Sequence, residues 1–202
     1  MDKRKKLAVF DLDGTLFDTA EVNYRSYQAA AAECGYQISR ELFMQEFVGK
    51  NYKEFLAVFG IREVEIQERI HEIKKERYDE FLYAAKKNEH LFSMISCMKS
   101  EYVIALATTA SERNAREILT KFGVEKVFDI FITQESVIKL KPDPECYLLA
   151  MKKADALPKD TVIFEDSDTG AAAAAASGAL VLRVENFSGT GNIIERVFSG
   201  NT

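Results

Sequence analysis

Histidine and cysteine are scarce in this chain, at two and three in 202 residues. Cys34, Cys97 and Cys146 are odd in number, widely spaced and outside any Cys-x-x-Cys pattern, which argues against a disulfide framework or a zinc site. A reduced, cytoplasmic setting is expected. His71 and His90 have no Cys, His or acidic neighbours at metal-ligand spacing, and both are expected on the surface. Serine–histidine or cysteine–histidine catalysis therefore has little support, and carboxylates remain as the candidate reactive groups. No apolar run is long enough to span a membrane. The basic start Asp2-Lys3-Arg4-Lys5-Lys6 is followed by only four apolar residues before Asp11, too few for a secretion signal. Excess positive charge is also missing. A net charge of −5, with basic residues interleaved among acids, argues against nucleic acid or an anionic membrane as the main partner and favours a small soluble substrate. No internal repeat and no Pro/Gly/Ser-rich linker is evident, and a monomer is expected.

The length suits one sizeable α/β domain or a medium domain carrying an insertion, and a hydrophobic content of 47% permits a real core. Short apolar runs at 7–10, 103–107, 130–133, 161–164 and 180–184 read as buried parallel strands. Helical segments at 112–122, 144–153 and 169–177 fall between the later ones. This alternation predicts a doubly wound parallel sheet with ligands at the carboxyl ends of its strands. The first interval is too long for a single crossover. Residues 17–88 read as all-helical, with helices at 20–34, 40–48, 52–59 and 63–85, and in the last of these Ile66, Ile70, Ile73 and Phe81 share one face. We read this stretch as a helical cap domain over the first strand, inserted between the core segments 1–16 and 89–202 through linkers near Leu16-Phe17 and Lys87-Asn88. The alanine run 171–176 lets a helix lie close to the sheet and carries no chemistry.

Polar residues follow the apolar runs. In Val9-Phe10-Asp11-Leu12-Asp13-Gly14-Thr15 a strand delivers two carboxylates, one residue apart, into a glycine turn. Strand alternation places Asp11 and Asp13 on the same side. Taken alone, the motif reads equally as a strand end and a turn. Thr108 is the first residue after the second run and can hydrogen-bond a substrate oxygen, whereas Ser111 can cap the helix that follows. Lys141, in Lys139-Leu140-Lys141-Pro142-Asp143-Pro144, is stiffened by two prolines and suits a fixed charge for a phosphoryl group. Glu165-Asp166-Ser167-Asp168 crowds three acids at another strand end, which is costly without a cation. Few, hard oxygen ligands are what Mg²⁺ prefers. Asp168 doubles as a helix N-cap and ranks below Glu165 and Asp166.

With these motifs in order, the chain resembles the haloacid dehalogenase superfamily of phosphohydrolases over about residues 7–184. Asp11-Leu12-Asp13-Gly14-Thr15 resembles its first motif, Thr108 its second, Lys141 in Lys-Pro-Asp-Pro its third and Glu165-Asp166 its fourth. The insertion is similar in layout to the C1-type cap of the subgroup that includes phosphoglycolate phosphatase and β-phosphoglucomutase. The resemblance implies a Rossmann-like core and a phosphoric monoester hydrolase. Asp11 would be the nucleophile that forms an aspartyl-phosphate and Asp13 the general acid-base. Thr108 and Lys141 would hold phosphoryl oxygens. Mg²⁺ would sit on Asp11, Asp166 and the Asp13 carbonyl, with Glu165 acting through water. Dehalogenases lack the second aspartate. The mutase pattern has a histidine where this chain has Asn23 and a Val-Ser-Arg triplet after a cap glycine, where Gly49 is here followed by Lys50-Asn51-Tyr52. Hydrolase is favoured over mutase, and a receiver-like phosphoacceptor module fits the motif order less well. Candidate substrate contacts are Thr19, Asn23, Tyr24, Tyr27, Lys50 and Asn51 in the cap, with Thr109, Ser111 and Arg113 in the core. They hint at a small hydrophilic phosphomonoester, a sugar phosphate or a phosphoglycolate-like metabolite.

Overall fold

The computed structural model describes residues 6–46 and 51–184. A five-stranded sheet in the order β5-β4-β1-β6-β7 is built from β1 (Lys6–Phe10), β4 (Tyr102–Ala107), β5 (Ile130–Ile132), β6 (Thr161–Glu165) and β7 (Leu180–Arg183). All four pairings are parallel. Register is set in the centre, where Leu7 faces Val103 on one side and Thr161 on the other, and Phe10 faces Leu106 and Phe164. These strands are covered on both faces, so they are written as continuous apolar runs.

Strand alternation assigns the two faces. Leu7 and Val9, Ala105 and Ala107, Ile132 and Ile163 join one buried cluster with Cys146, Tyr147, Ala150 and Met151 of α7 (Glu145–Ala154) and with Ala173 and Ala174 of α8 (Asp168–Ala176). The small side chains of α8 therefore do pack among the sheet residues. Residues of the opposite parity include Phe10 and Phe164, whose rings stack with centroids 4.5 Å apart, a pairing worth about 1 kcal/mol beyond area burial. Two further α-helices among the described residues lie next to strands of this sheet along the chain. One is α6 (Glu112–Lys121). The other, α5 (Glu89–Met98), was not among the predicted elements, although Leu91, Met94, Ile95 and Met98 show the i, i+3, i+4, i+7 spacing and Asn88 Oδ1 caps it by accepting from Leu91 N at 3.2 Å.

The chain divides into two compact units, residues 1–18 with 87–202, and residues 19–86. A two-stranded sheet of β2 (Phe17–Asp18) and β3 (Lys86–Lys87) lies where the chain passes from one unit to the other. The second unit is helical: α1 (Ala20–Glu33), α2 (Arg40–Glu46), α3 (Tyr52–Val58) and α4 (Val64–Glu76), then a 3₁₀ segment at Tyr78–Ala84. It has its own core around Tyr24, Tyr27, Ala30, Phe43, Phe55 and Ile70. The single helix expected over 63–85 is broken at Arg77, where the α pattern gives way to 3₁₀ and the guanidinium is clamped by Glu80 at 2.8 Å and Glu33 at 2.7 Å. The end of the helix expected over 40–48 falls at 47–48, outside the described residues.

Candidate active site

Sheet order brings the motifs together. Because β4 and β6 flank β1, the residues that leave their carboxyl ends flank Asp11. The backbone N–H of Asp11 donates to Phe164 O at 3.0 Å, and that of Thr108 to Ile132 O at 3.0 Å, so both stay in register just past the strands. Thr108 is buried, and its Oγ1 accepts from Ala110 N at 3.0 Å. A hydroxyl that accepts one bond still has its O–H to give. Asp11 and Glu165 share the parity of Val9 and Ile163, and so they project on the α7 face, where Lys141 arrives from the loop before that helix.

Lys141 is the hub. Its Nζ donates to Asp11 Oδ1 at 2.6 Å, Glu165 Oε1 at 2.5 Å and Ala107 O at 3.1 Å, which uses all three ammonium protons. All three side chains are buried. Taking such charges out of water costs several kcal/mol per ion unless geometry and hydrogen bonds offset it, so each partner depends on the others. Burial favours the neutral amine, but Asp11 and Glu165 outweigh it and hold Lys141 charged. Burial pushes the Asp11 carboxyl well above the usual range; Lys141 pulls it down, and the charges of Glu165 and Asp166 push it up again. Glu165 is lowered in spite of its burial, by Lys141 and by hydrogen bonds from Tyr147 and Ser167.

Asp166 stands beside this group. Burial, and next the charge of Glu165, raise it to about 6, against a hydrogen bond from Thr15 Oγ1 at 2.9 Å. Gly14 is required twice over: its φ is 82°, and a Cβ there would overlap the Asp166 carboxylate. Asp11, Glu165 and Asp166 each present an oxygen within 4.8 Å of the others. Two of these three acids share the Lys141 ammonium, and Asp166 accepts from the Thr15 hydroxyl. That donor set, hard, anionic and short of positive charge, fits a small divalent cation.

Several expectations are refined. β1 ends at Phe10, so Asp11 and Asp13 lie beyond the strand and alternation is not what places them; Asp13 is half-buried in the following turn, and its charge acts on Asp166. Ser167, not Asp168, caps α8, its Oγ accepting from Gly170 N at 3.0 Å; Asp168 is exposed and pairs with Arg183. His71 is half-buried and not a surface residue: its ring stacks on Tyr52 at 4.0 Å and its Nδ1 bonds the Tyr27 hydroxyl at 2.8 Å. His90 is exposed, as expected.

Among the candidate substrate contacts, Thr109 is exposed in the core unit, whereas Ser111 Oγ is used as the N-cap of α6, accepting from Asn114 N at 3.2 Å. Arg113 is exposed and pairs with Glu117 at 2.8 Å. In the helical unit Thr19 and Asn23 are buried and bond each other, the Asn23 amide donating to Thr19 O at 3.1 Å. Tyr24 and Tyr27 lie in that unit's core, and Asn51 caps α3 in a capping box with Glu54. Lys50 lies outside the described residues. The polar groups that sequence reasoning missed are Tyr147 and Ser167, both bonded to Glu165, and Gly170, where a Cβ would overlap the Glu165 carboxylate. Tyr147 acts through a contact eighteen residues away that the fold alone makes, whereas Ser167 bonds Glu165 two residues before it, a local turn that the Glu-Asp-Ser run could have suggested.

Comparison with known proteins adds a family and its relatives. The sequence model of the family described as haloacid dehalogenase-like hydrolase matches residues 8–184. A phosphorylated carbohydrates phosphatase of Thermotoga maritima is 33% identical over 178 residues, covering 84% of this chain and 80% of that protein. A β-phosphoglucomutase of Bacillus subtilis is 27% identical, covering 89% and 83%. Among solved structures, CbbY from Rhodobacter sphaeroides in complex with phosphate superposes with a TM-score of 0.76 at 27% identity, covering 92% of this chain and 91% of that one.

Proposed function

Since the chain belongs to the haloacid dehalogenase-like hydrolases and is a hydrolase of phosphoric monoesters, we propose that it is a Mg²⁺-dependent phosphatase of small phosphorylated metabolites, sugar phosphates foremost, working through an aspartyl-phosphate. The observation that carries this reading is the Lys141 ammonium held between Asp11 and Glu165 at the strand ends, with Asp166 and Thr108 beside them. The sugar-phosphate preference is supported by the 33% identical carbohydrate phosphatase.

In this mechanism Asp11 attacks phosphorus in line as Asp13 protonates the leaving oxygen. Asp13 then takes a proton from the water that hydrolyses the acyl-phosphate. The Thr108 hydroxyl, and Lys141 by turning one of its three N–H donors from protein to substrate, hold the equatorial oxygens, where charge must be neutralised for phosphoryl transfer. Asp11, Asp166 and the Asp13 carbonyl would hold Mg²⁺, with Glu165 through water. When bound, the ion supplies positive charge to a site whose acids outnumber its one ammonium.

A phosphomutase is the competing reading, since one relative is a β-phosphoglucomutase. Against it, Asn23 carries no titratable proton and its amide is bonded within the first turn of α1.

The test is phosphate release from a panel of sugar phosphates, 2-phosphoglycolate and nucleotides with Mg²⁺. Release is expected from the wild type and none above background from Asp11→Asn, which removes the nucleophile but little volume. Near-normal turnover in Asp11→Asn overturns the mechanism, and isomerisation of a hexose phosphate without release selects the mutase.

A further inference from the structure

Glu165 is held by more partners than a strand-end acid needs. Its Oε1 accepts from Lys141 Nζ at 2.5 Å and from the Tyr147 hydroxyl at 2.8 Å, while its Oε2 accepts from Ser167 N at 3.2 Å and Ser167 Oγ at 3.1 Å. A carboxylate has about four lone-pair sites, and here protein donors engage both of its oxygens. Tyr147 is fully buried on α7, six residues after Lys141, and the ammonium also lies 5.1 Å from the centre of its ring. One side chain thus touches both members of the Lys141–Glu165 pair.

We propose that Tyr147 is a positioning residue for phosphoryl transfer, its hydroxyl fixing the Glu165 carboxylate so that the Lys141 ammonium is shared with Asp11 instead of collapsing onto Glu165. The inference rests on the phosphatase reading above. Its physical basis is competition. Oε1 accepts from two donors, so Lys141 is not its only partner, and the ammonium sits almost equally close to Asp11 and Glu165, at 2.6 and 2.5 Å. Without the hydroxyl, Oε1 has only Lys141 to satisfy it, and a buried oxygen short of a partner draws the nearest cation. Burial keeps the phenol protonated at all physiological pH, so it acts as a donor throughout. The α7 face supplies this contact for a plain reason: Tyr147 and Glu165 belong to the same side of the sheet, with Ile163 and Val9.

The decisive variant is Tyr147→Phe, which keeps the ring against Lys141 and deletes only the hydroxyl. With p-nitrophenyl phosphate and saturating Mg²⁺, kcat is expected to fall about tenfold while KM stays within about twofold, because the lost alignment counts most where charge develops. The metal-free protein should melt within a few degrees of the wild type, and all rates are to be taken below the onset of melting of each variant. In a Glu165→Gln background the same Tyr147→Phe change should cost less than about twofold, since a residue acting through Glu165 has nothing left to position.

A kcat within twofold of wild type in Tyr147→Phe overturns the proposal. So does a tenfold loss that recurs in full beside Glu165→Gln, which would mark a packing effect independent of Glu165. If Asp11→Asn abolishes turnover while Tyr147→Phe does not change it, the phosphatase reading stands and this inference alone fails. If Asp11→Asn is as active as wild type, both fall.

Discussion

At the level of single residues, the site is defined as much by where side chains are missing as by where charges are present. Gly170 illustrates this. It lies inside α8, where alanine is the better helix former by about 1 kcal/mol, so propensity alone would make Gly170→Ala stabilising. Sterics give the opposite sign. A Cβ at this position meets the Glu165 carboxylate, which is held by Lys141, Tyr147 and Ser167 and has no free direction in which to move. Overpacking of this kind costs about 1–3 kcal/mol, so Gly170→Ala should lower the denaturant midpoint and reduce activity together. A variant that is more stable and equally active would show that Glu165 is free to swing away. The residues named in advance stood out for reasons visible along the chain: Asp11, Thr108 and the Glu165-Asp166 pair come at the ends of apolar runs, and Lys141 precedes two prolines. Tyr147 and Gly170 were not, because within their own helices they look like any core aromatic and any small residue.

At the level of elements, the five strands of the main sheet were legible, the helices only in part, and the two-residue strands β2 and β3 at the ends of the stretch read as all-helical not at all. Buried parallel strands are short, apolar and bounded by polar turns, a pattern that few other structures share. The helix α5 was hidden between the expected insertion and the next strand, and the 63–85 stretch kept helical periodicity across Arg77 although the chain changes to 3₁₀ there. Asn51 shows how a polar residue can be misread: its side chain accepts from Lys53 N at 2.9 Å and Glu54 N at 3.1 Å, so it serves the start of α3. Asn51→Ala should cost about 1 kcal/mol of stability, Asn51→Asp should restore most of it, and KM should not move. A rise in KM with unchanged melting would return Asn51 to the substrate.

The pin between α1, α3 and α4 makes a second prediction at this level. His71 on α4 faces the Tyr27 hydroxyl from α1, the Tyr52 ring from α3, and Lys74 and Lys75 on its own helix. Burial, and after it the two lysine charges, lower its pKa from 6.5 to about 3. A base whose folded value lies below its unfolded one contributes stability that is complete above the unfolded value. That stability drains as pH falls from 6.5 towards 3, because the unfolded chain takes up the proton first. The wild-type melting temperature should therefore fall from pH 7 to pH 4 more steeply than that of His71→Gln, and parallel curves would refute the pin.

For the molecule as a whole, the excess of acid at the sheet's carboxyl edge links folding to cation binding. Asp11, Glu165 and Asp166 come from two adjacent strands and converge only when the sheet is formed, so the unfolded chain holds no equivalent site. A ligand that binds only the folded state stabilises it by RT ln(1 + [L]/Kd), roughly 2.7 kcal/mol at a hundred times Kd. For a chain of this size that corresponds to a rise on the order of 5–10 °C in melting temperature. Mg²⁺ should therefore raise the melting point, EDTA should reverse the rise and abolish phosphate release, and restored Mg²⁺ should recover both. Protons compete for the same oxygens, and Asp166 takes one up near pH 6, so the Mg²⁺-induced rise should shrink as the pH is lowered past that value. Asp166→Asn removes a ligand charge and relieves the crowding around Asp11. That variant should melt at or above the wild type without metal and gain little from Mg²⁺. A Mg²⁺-induced rise as large in Asp166→Asn as in the wild type would place the cation elsewhere on the protein, and no rise in either would separate the acid cluster from metal binding altogether.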